Sequence, residues 1–395
     1  MAGKSGRGSL LRAALIGLGV VATASAVTAI AISAISVGFA RTVLTPPKRK
    51  EPDVRLIGLD QDSKTVTLSR NDDSIVPGRY GLWVRDGEAH LRYGRILAQT
   101  SATVTRELIG VDYGEPHAGD ESRINSWFFL DPVELALEWH DVPIPTPLGD
   151  APAWYFPAES KRWAILVHGR AVLRHETLRA VPVFHEAGYQ VLAVSYRNDS
   201  EGPTSPNGRY GLGLTEWRDV EAAIAYARAE GAEEVVLMGW SMGGAIVLQT
   251  LLQSELADCV TGAVLESPAV SWRETLRYQA DARNLPAPVR AGGFTLLEQS
   301  WGKWATGAET ELDLDLLDIP ARADELTHPL LILHSDDDGF VPAGPSWELA
   351  AARPDLVTPV PFEQARHCRL WNYDQQRWSA AITAWLRSLD APSKR

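Results

Sequence analysis

Gly239–Trp240–Ser241–Met242–Gly243–Gly244 stands between one apolar run, Val235–Met238, and another that begins at Ala245. The first run has the length and branching of a buried strand, and the second has those of a buried helix. A serine between two glycines is common, but one wedged between strand and helix is specific. The turn brings backbone together two residues before and two residues after the serine. Only Gly239 and Gly243 leave room there. The turn lifts the Ser241 hydroxyl clear of the sheet, and the helix N-terminus beneath it favours developing negative charge.

Outward from this elbow the chain alternates. Strand-like runs at Ala164–Val167, Gln190–Ser195, Glu234–Met238, Gly262–Glu266, Leu330–His334 and Val357–Phe362 are interleaved with amphipathic stretches at Leu178–Ala187, Thr215–Glu230, Ala245–Ser254 and Tyr373–Leu389. In the second stretch Trp217, Val220, Ile224 and Ala227 share one helical face. Such alternation predicts an α/β domain, a mostly parallel sheet with helices on both faces, over 137–395.

A serine hydroxyl attacks only when a base takes its proton. In an elbow of this kind the acid and then the histidine follow the serine in chain order, on loops after strands. Ser335–Asp336–Asp337–Asp338–Gly339 follows one strand and offers three carboxylates, and His367 follows Val357–Phe362. His367 is the expected base. The oxyanion of an acyl-transfer intermediate needs two backbone N–H donors. Met242, just after the serine, supplies one. Arg170, in Val167–His168–Gly169–Arg170–Ala171, supplies the other, and its guanidinium is a candidate for an anionic substrate group. His168 reads as structural.

The 395 residues carry a net charge of −12, unevenly spread. Residues 1–50 hold seven basic side chains and no acidic one, which leaves 31 basic against 50 acidic in 51–395. So acidic a body repels phosphate backbones and argues against nucleic-acid binding. Cys259 and Cys368 form neither a disulfide framework nor a metal-binding spacing. No metal or nucleotide cofactor is called for.

From Ala13 to Ala40 the chain runs 28 residues without a charge. As a helix this would reach roughly 42 Å, against a hydrocarbon core of ~30 Å. Residues 1–44 are therefore expected to be a single-pass membrane anchor of undecided orientation. The other reading is a signal segment, with secretion after cleavage. Residues 45–52 read as a proline-punctuated linker. Residues 53–136 read as a small β-rich accessory domain, with strands at Val54–Leu59, Thr65–Ser69, Tyr80–Val84, His90–Tyr93 and Arg95–Ala98 and a hairpin at Asp86–Gly87. Its expected roles are packing or partner contact.

The motifs Leu-Val-His-Gly (166–169), Gly-Trp-Ser-Met-Gly-Gly (239–244), Leu-His-Ser-Asp-Asp-Asp-Gly-Phe-Val-Pro (333–342) and Arg-His-Cys-Arg-Leu-Trp (366–371) resemble the α/β-hydrolase superfamily over residues 137–390. Within it the sequence looks similar to membrane-anchored bacterial serine aminopeptidases and acylglycerol- or acylprotein-type esterases. The resemblance selects Asp338 as the triad acid, with Ser335 standing where the family usually has glycine. It also makes 268–320, which holds Trp272, Trp301 and Trp304, a helical cap insertion. Those tryptophans either pack the cap or meet an acyl or aromatic substrate.

The expected activity is that of a serine hydrolase cleaving a carboxylic ester or thioester through an acyl-enzyme, with Ser241, Asp338 and His367 as its triad. A serine peptidase with the same residues is the alternative. From another class comes a non-catalytic, membrane-anchored interaction protein. The expected partners are a small-molecule, acyl or peptidyl substrate and, through the N-terminal helix, the membrane.

Overall fold

The computed structural model describes residues 29–47 and 51–390. It begins in a helix, α1, over residues 29–44. Residues 13–28 of the expected anchor lie outside the described part. Over 29–40 the run is exposed at Ile30 and Ile35 and packed on protein further along. Ala40 and Leu44 are fully buried in the protein core, and the Ser36 hydroxyl donates to the Val289 carbonyl at 3.0 Å. Among the described residues no helix is long and apolar enough to cross a membrane. The expected 28-residue span is thus seen only over its last part, residues 29–40. Small residues let α1 approach another helix closely, and protein packing uses the same apolar surface that lipid would.

After the connecting segment come six strands: β1 (Val54–Asp60), β2 (Thr65–Ser69), β3 (Tyr80–Val84), β4 (Ala89–Gln99), β5 (Thr103–Tyr113) and β6 (Glu121–Asn125). They close into an antiparallel barrel in the order β1-β2-β5-β4-β3-β6, which leaves no open strand edge. The expected hairpin joins β3 to β4, with Asp86 and Gly87 at positive φ and Val84 paired to Ala89. The two strands read at His90–Tyr93 and Arg95–Ala98 are one, because Gly94 marks a slip in register against β5 and does not end the strand. Leu56, Val66, Leu82 and Leu91 fill the interior around the fully buried Arg106.

The second sheet runs β14-β13-β12-β11-β9-β10-β8-β7. Its strands are β7 (His140–Thr146), β8 (Gly149–Phe156), β9 (Arg162–Val167), β10 (Gln190–Val194), β11 (Glu234–Trp240), β12 (Val260–Glu266), β13 (Leu330–Ser335) and β14 (Val357–Phe362). Strands β9 to β14 are parallel, and β7 and β8 add an antiparallel hairpin at one edge. Side chains alternate across this sheet. Ile165, Leu237 and Ile332 meet the core that holds α3 (Trp217–Ala229) and α4 (Met242–Gln253), while Leu166, Met238 and Leu333 face α2 (Val181–Glu186) and α10 (Gln375–Leu389). Between β12 and β13 the cap carries α5 (Trp272–Ala282), α6 (Ala287–Glu298) and α7 (Lys303–Thr306). Helix α8 (Gly344–Ala352) precedes β14, and the short α9 (Leu370–Tyr373) precedes α10. Trp272 is buried, whereas Trp301 and Trp304 are exposed at the surface. Helix α1 lies on this cap. A Cβ on Gly292 would come within 2.6 Å of the Ser36 hydroxyl oxygen, and one on Gly293 within 2.8 Å of the Phe39 ring.

Candidate active site

The elbow is as tight as its sequence implies. A Cβ on Gly239 would lie 2.4 Å from the Gly243 carbonyl oxygen, and one on Gly243 would lie 2.2 Å from that of Val167. No other residue fits either place. Ser241 sits between β11 and α4 with φ 51° and ψ −116°, a strained conformation for a residue with a side chain. Its carbonyl accepts from Gly244 and Ala269 at 3.0 and 3.1 Å, which holds the turn closed.

Three loops at the carboxyl ends of β11, β13 and β14 bring Ser241, Asp338 and His367 together. The Ser241 hydroxyl oxygen is 3.0 Å from His367 Nε2, and His367 Nδ1 is 2.7 Å from Asp338 Oδ2. The other Asp338 oxygen accepts from the backbone N–H groups of Phe340 and Val341 at 2.8 and 2.9 Å. Burial alone would push the Asp338 carboxyl up. The neighbouring His367 and the bonds from His334 and His367 outweigh it and hold Asp338 well below the usual carboxylate range. His334 itself is fully buried, 3.3 Å from Asp338 and bonded to Ser346 at 2.9 Å.

The other two carboxylates of this loop have different partners. Asp336 accepts from the Trp347 indole at 2.9 Å, and Asp337 from the Ser335 hydroxyl at 2.6 Å. Ser335 also accepts from the Ala365 N–H at 2.9 Å. The serine that replaces the family's usual glycine thus ties the acid loop to the histidine loop.

Met242 is the first residue of α4, where a backbone N–H has no intrahelical carbonyl to take it. Arg170 follows Gly169, whose added Cβ would lie 3.4 Å from that of Ser241, so its loop lies against the serine. The expectation that its guanidinium is available to substrate is corrected. It donates to the carbonyls of Thr42, Val43 and Thr45 at 2.6 to 3.1 Å, at the carboxyl end of α1. The orphan carbonyls of a helix terminus satisfy this half-buried cation. His168 is fully buried, bonded to Asp199 at 3.0 Å and stacked on Tyr196, as a structural residue should be.

Sequence reasoning missed several residues here. The buried Glu266 accepts from the indoles of Trp240 and Trp378 at 2.8 and 2.9 Å and from the Leu370 N–H at 3.2 Å. It thereby joins the elbow, the histidine loop and α10. Arg179 lies 3.7 Å from both Glu266 and Glu176, and it reaches Asn372 at 2.9 Å. A charged residue closing the apolar strand β12 was the available signal for Glu266. Cys368 Sγ lies 3.5 Å from His367 Nε2, but burial and nearby Glu176 and Glu266 push its thiol far up, so it stays protonated.

The cavity that Ser241 and His367 line measures about 630 Å³, and the barrel builds one side of it. Trp83, Arg123 and Trp127 line the same space as Ser241 and His367. Beside the packing or partner contact expected of 53–136, this unit thus contributes to the wall of the cavity. The two units are also bonded directly, by Ser126 to Glu176 at 2.9 Å and by Asn372 to the Arg79 carbonyl at 2.9 Å. Among the described residues no cluster of His, Cys, Asp and Glu could hold a metal ion.

A family model described as "Alpha/beta hydrolase family" matches residues 164–382. A second, described as "Domain of unknown function (DUF8805)", matches 55–125, the barrel strands. The chain is similar to human "Protein ABHD12B", 27% identical over 246 residues, which cover 59% of this chain and 62% of that protein. The match thus spans less than two thirds of that relative. Among solved structures, the esterase Pf2001 of Pyrococcus furiosus superposes with a TM-score of 0.51 at 18% identity. That alignment covers 65% of this chain and 95% of the esterase. A second crystal form gives a TM-score of 0.50 over 65% and 93% of the two chains, also at 18% identity. At such identity the superposition speaks for the fold. The family match spans more than half of the sequence and coincides with the strands and loops that carry Ser241, Asp338 and His367, and the chain belongs to the alpha/beta hydrolase family.

Proposed function

We propose that the protein is a serine hydrolase that cleaves a carboxylic ester or thioester through an acyl-enzyme. The observation that carries this reading is the unbroken line from the Ser241 hydroxyl to His367 Nε2, and from His367 Nδ1 to Asp338, opening into a cavity. In the proposed mechanism His367 takes the serine proton as Oγ bonds to the acyl carbon. The negative charge gathers on the carbonyl oxygen, between the N–H groups of Met242 and Arg170. Asp338 keeps the imidazole oriented and balances its positive charge. As the carbonyl reforms, the bond to the leaving group breaks, and His367 gives that group its proton. Water then attacks the acyl-enzyme with His367 again as base, and the acid departs from Ser241.

The same residues would open an amide, but the fold neighbours reported above are esterases by name, which supports the ester reading. The N-terminal apolar run, preceded by Lys4, Arg7 and Arg12, is proposed to bring the enzyme to a membrane. Sequence alone supports that part. Turnover of p-nitrophenyl acetate and butyrate by the purified chain, set beside aminoacyl p-nitroanilides, tests the activity. Ester turnover that vanishes in Ser241→Ala is the expected result. Anilide turnover without ester turnover would shift the reading to a peptidase.

A further inference from the structure

A second cavity, about 290 Å³, opens between α1 and α5. Phe39 and Val43 of α1 form one wall, and Trp272 and Leu276 of α5 form the other. Arg170 and Phe340 line both this cavity and the one that contains Ser241, so the two spaces meet at the loop expected to hold the oxyanion. Among the described residues no carboxylate lines it. The arginine and amide groups at its edge are already engaged with protein. Arg170 is bound to the carbonyls of α1, the Arg283 guanidinium donates to Gln279 at 2.6 and 2.9 Å, and the Gln279 amide donates to the Phe340 carbonyl at 2.6 Å. What remains is a mostly apolar slot, with the Trp272 indole N–H as its buried polar atom left without a partner among the described residues, and such a slot gains most from a saturated chain that leaves water.

We propose that this slot holds the acyl chain of the ester substrate, which makes α1 a wall of the binding site and the favoured substrate a medium- or long-chain acyl ester. The inference rests on the ester-hydrolase reading and adds a substrate class to it. The opposite side of the catalytic cavity suits the alcohol half better, since the barrel places Arg85, Glu121 and Arg123 there. Arg170 gives the arrangement its rigidity. One residue offers its N–H toward the serine and its side chain to the end of α1, so the slot and the oxyanion loop are fixed to each other.

Gly38 makes the test clean. It lines the slot, and a Cβ built on it meets nothing within 4 Å. A larger side chain there fills the space without displacing backbone, and it favours the helix over glycine. In the wild type, kcat/KM along p-nitrophenyl esters from acetate to decanoate should rise by about fourfold per methylene until the slot is full. In Gly38→Phe the ratio of kcat/KM for octanoate to that for acetate should fall at least tenfold, mainly through KM, with Gly38→Leu in between. Lengthening the alcohol of an acetate ester instead should give a series that Gly38→Phe leaves unaltered. An octanoate-to-acetate ratio equal in wild type and Gly38→Phe would overturn the proposal, as would loss confined to the alcohol series. If no ester of any length is turned over, the ester reading fails by itself. The slot is then judged by binding of a pyrene-labelled fatty acid to wild type and Gly38→Phe, where equal affinity refutes it and at least tenfold weaker binding in the variant upholds it.

Discussion

The barrel and the parallel sheet meet at one cavity, but they are built on opposite principles. The sheet presents strands whose alternate side chains feed two apolar layers, and each chemical group sits on the loop that follows a strand. The barrel encloses a small core around a buried cation. Arg106 is fully buried and donates to the carbonyls of Ser74, Val76, Gly78 and Gly94 at 2.8 to 3.0 Å, with Tyr93 stacked 4.8 Å away. Chemistry is thus written locally in the sheet, in short motifs, while the shape of the pocket comes from a neighbour with no motif at all.

The sharpest way to probe this contrast is the acid loop. Asp338→Asn should lower turnover by about 10⁴-fold, the usual cost of losing a triad carboxylate. Asp336→Asn and Asp337→Asn should stay within a fewfold of wild type, since Asp336 and Asp337 bond to Trp347 and Ser335. Equal losses in all three variants would mean that the loop works as a charge cluster. Steady-state rates on a short ester read the outcome directly.

A smaller effect is expected from the barrel. Arg106→Met leaves four buried carbonyls without their donor, which should cost on the order of 3 kcal/mol or more. Urea unfolding should show it, while turnover of p-nitrophenyl acetate per folded molecule stays within a fewfold. A collapse of turnover in a protein that remains folded would show that the barrel's core and the triad act as one unit.

The smallest effect concerns the seam between the two. His175 stacks on Trp127 with ring centroids 4.9 Å apart and meets the edge of Trp154 at 4.6 Å. Burial, with Arg174 and His168 nearby, lowers its pKa to about 4. In the unfolded chain its value is about 6.5. Below that pH the unfolded state takes up a proton that the folded state refuses. Stability from this group is therefore complete above pH 6.5, declines as pH falls toward 4, and declines no further beneath it. His175→Phe should keep the stacking and flatten the fall of Tm between pH 6.5 and 4. An unchanged slope would clear His175 of that role.

What could be read from the sequence follows the same division. The elbow and His367 were legible because each lies in a short stretch whose steric or chemical demand is local, such as the two glycines that nothing else can replace, whereas Asp338 was chosen among three carboxylates only by the family resemblance. Strands β9 to β14 were legible as apolar runs between helices. Strand β5 was not, because Arg106 breaks its alternation unless its four carbonyl partners, distant in the chain, are known. Glu266 and Arg179 were missed for a similar reason, since their partners come from the elbow, the histidine loop and α10. The apolar run at 13–40 reads ambiguously for a physical reason. An uncharged stretch rich in small residues suits a lipid core and a protein groove alike, and its described end packs against Gly292 and Gly293.

The most direct test treats the native chain with a fluorophosphonate and maps the modified peptide by mass spectrometry, beside a heat-unfolded control. A single adduct on Ser241, absent from the unfolded control and from His367→Ala, is the predicted result. A well-folded chain left unmodified at Ser241, or modified equally when unfolded, would contradict an imidazole-activated hydroxyl at the elbow.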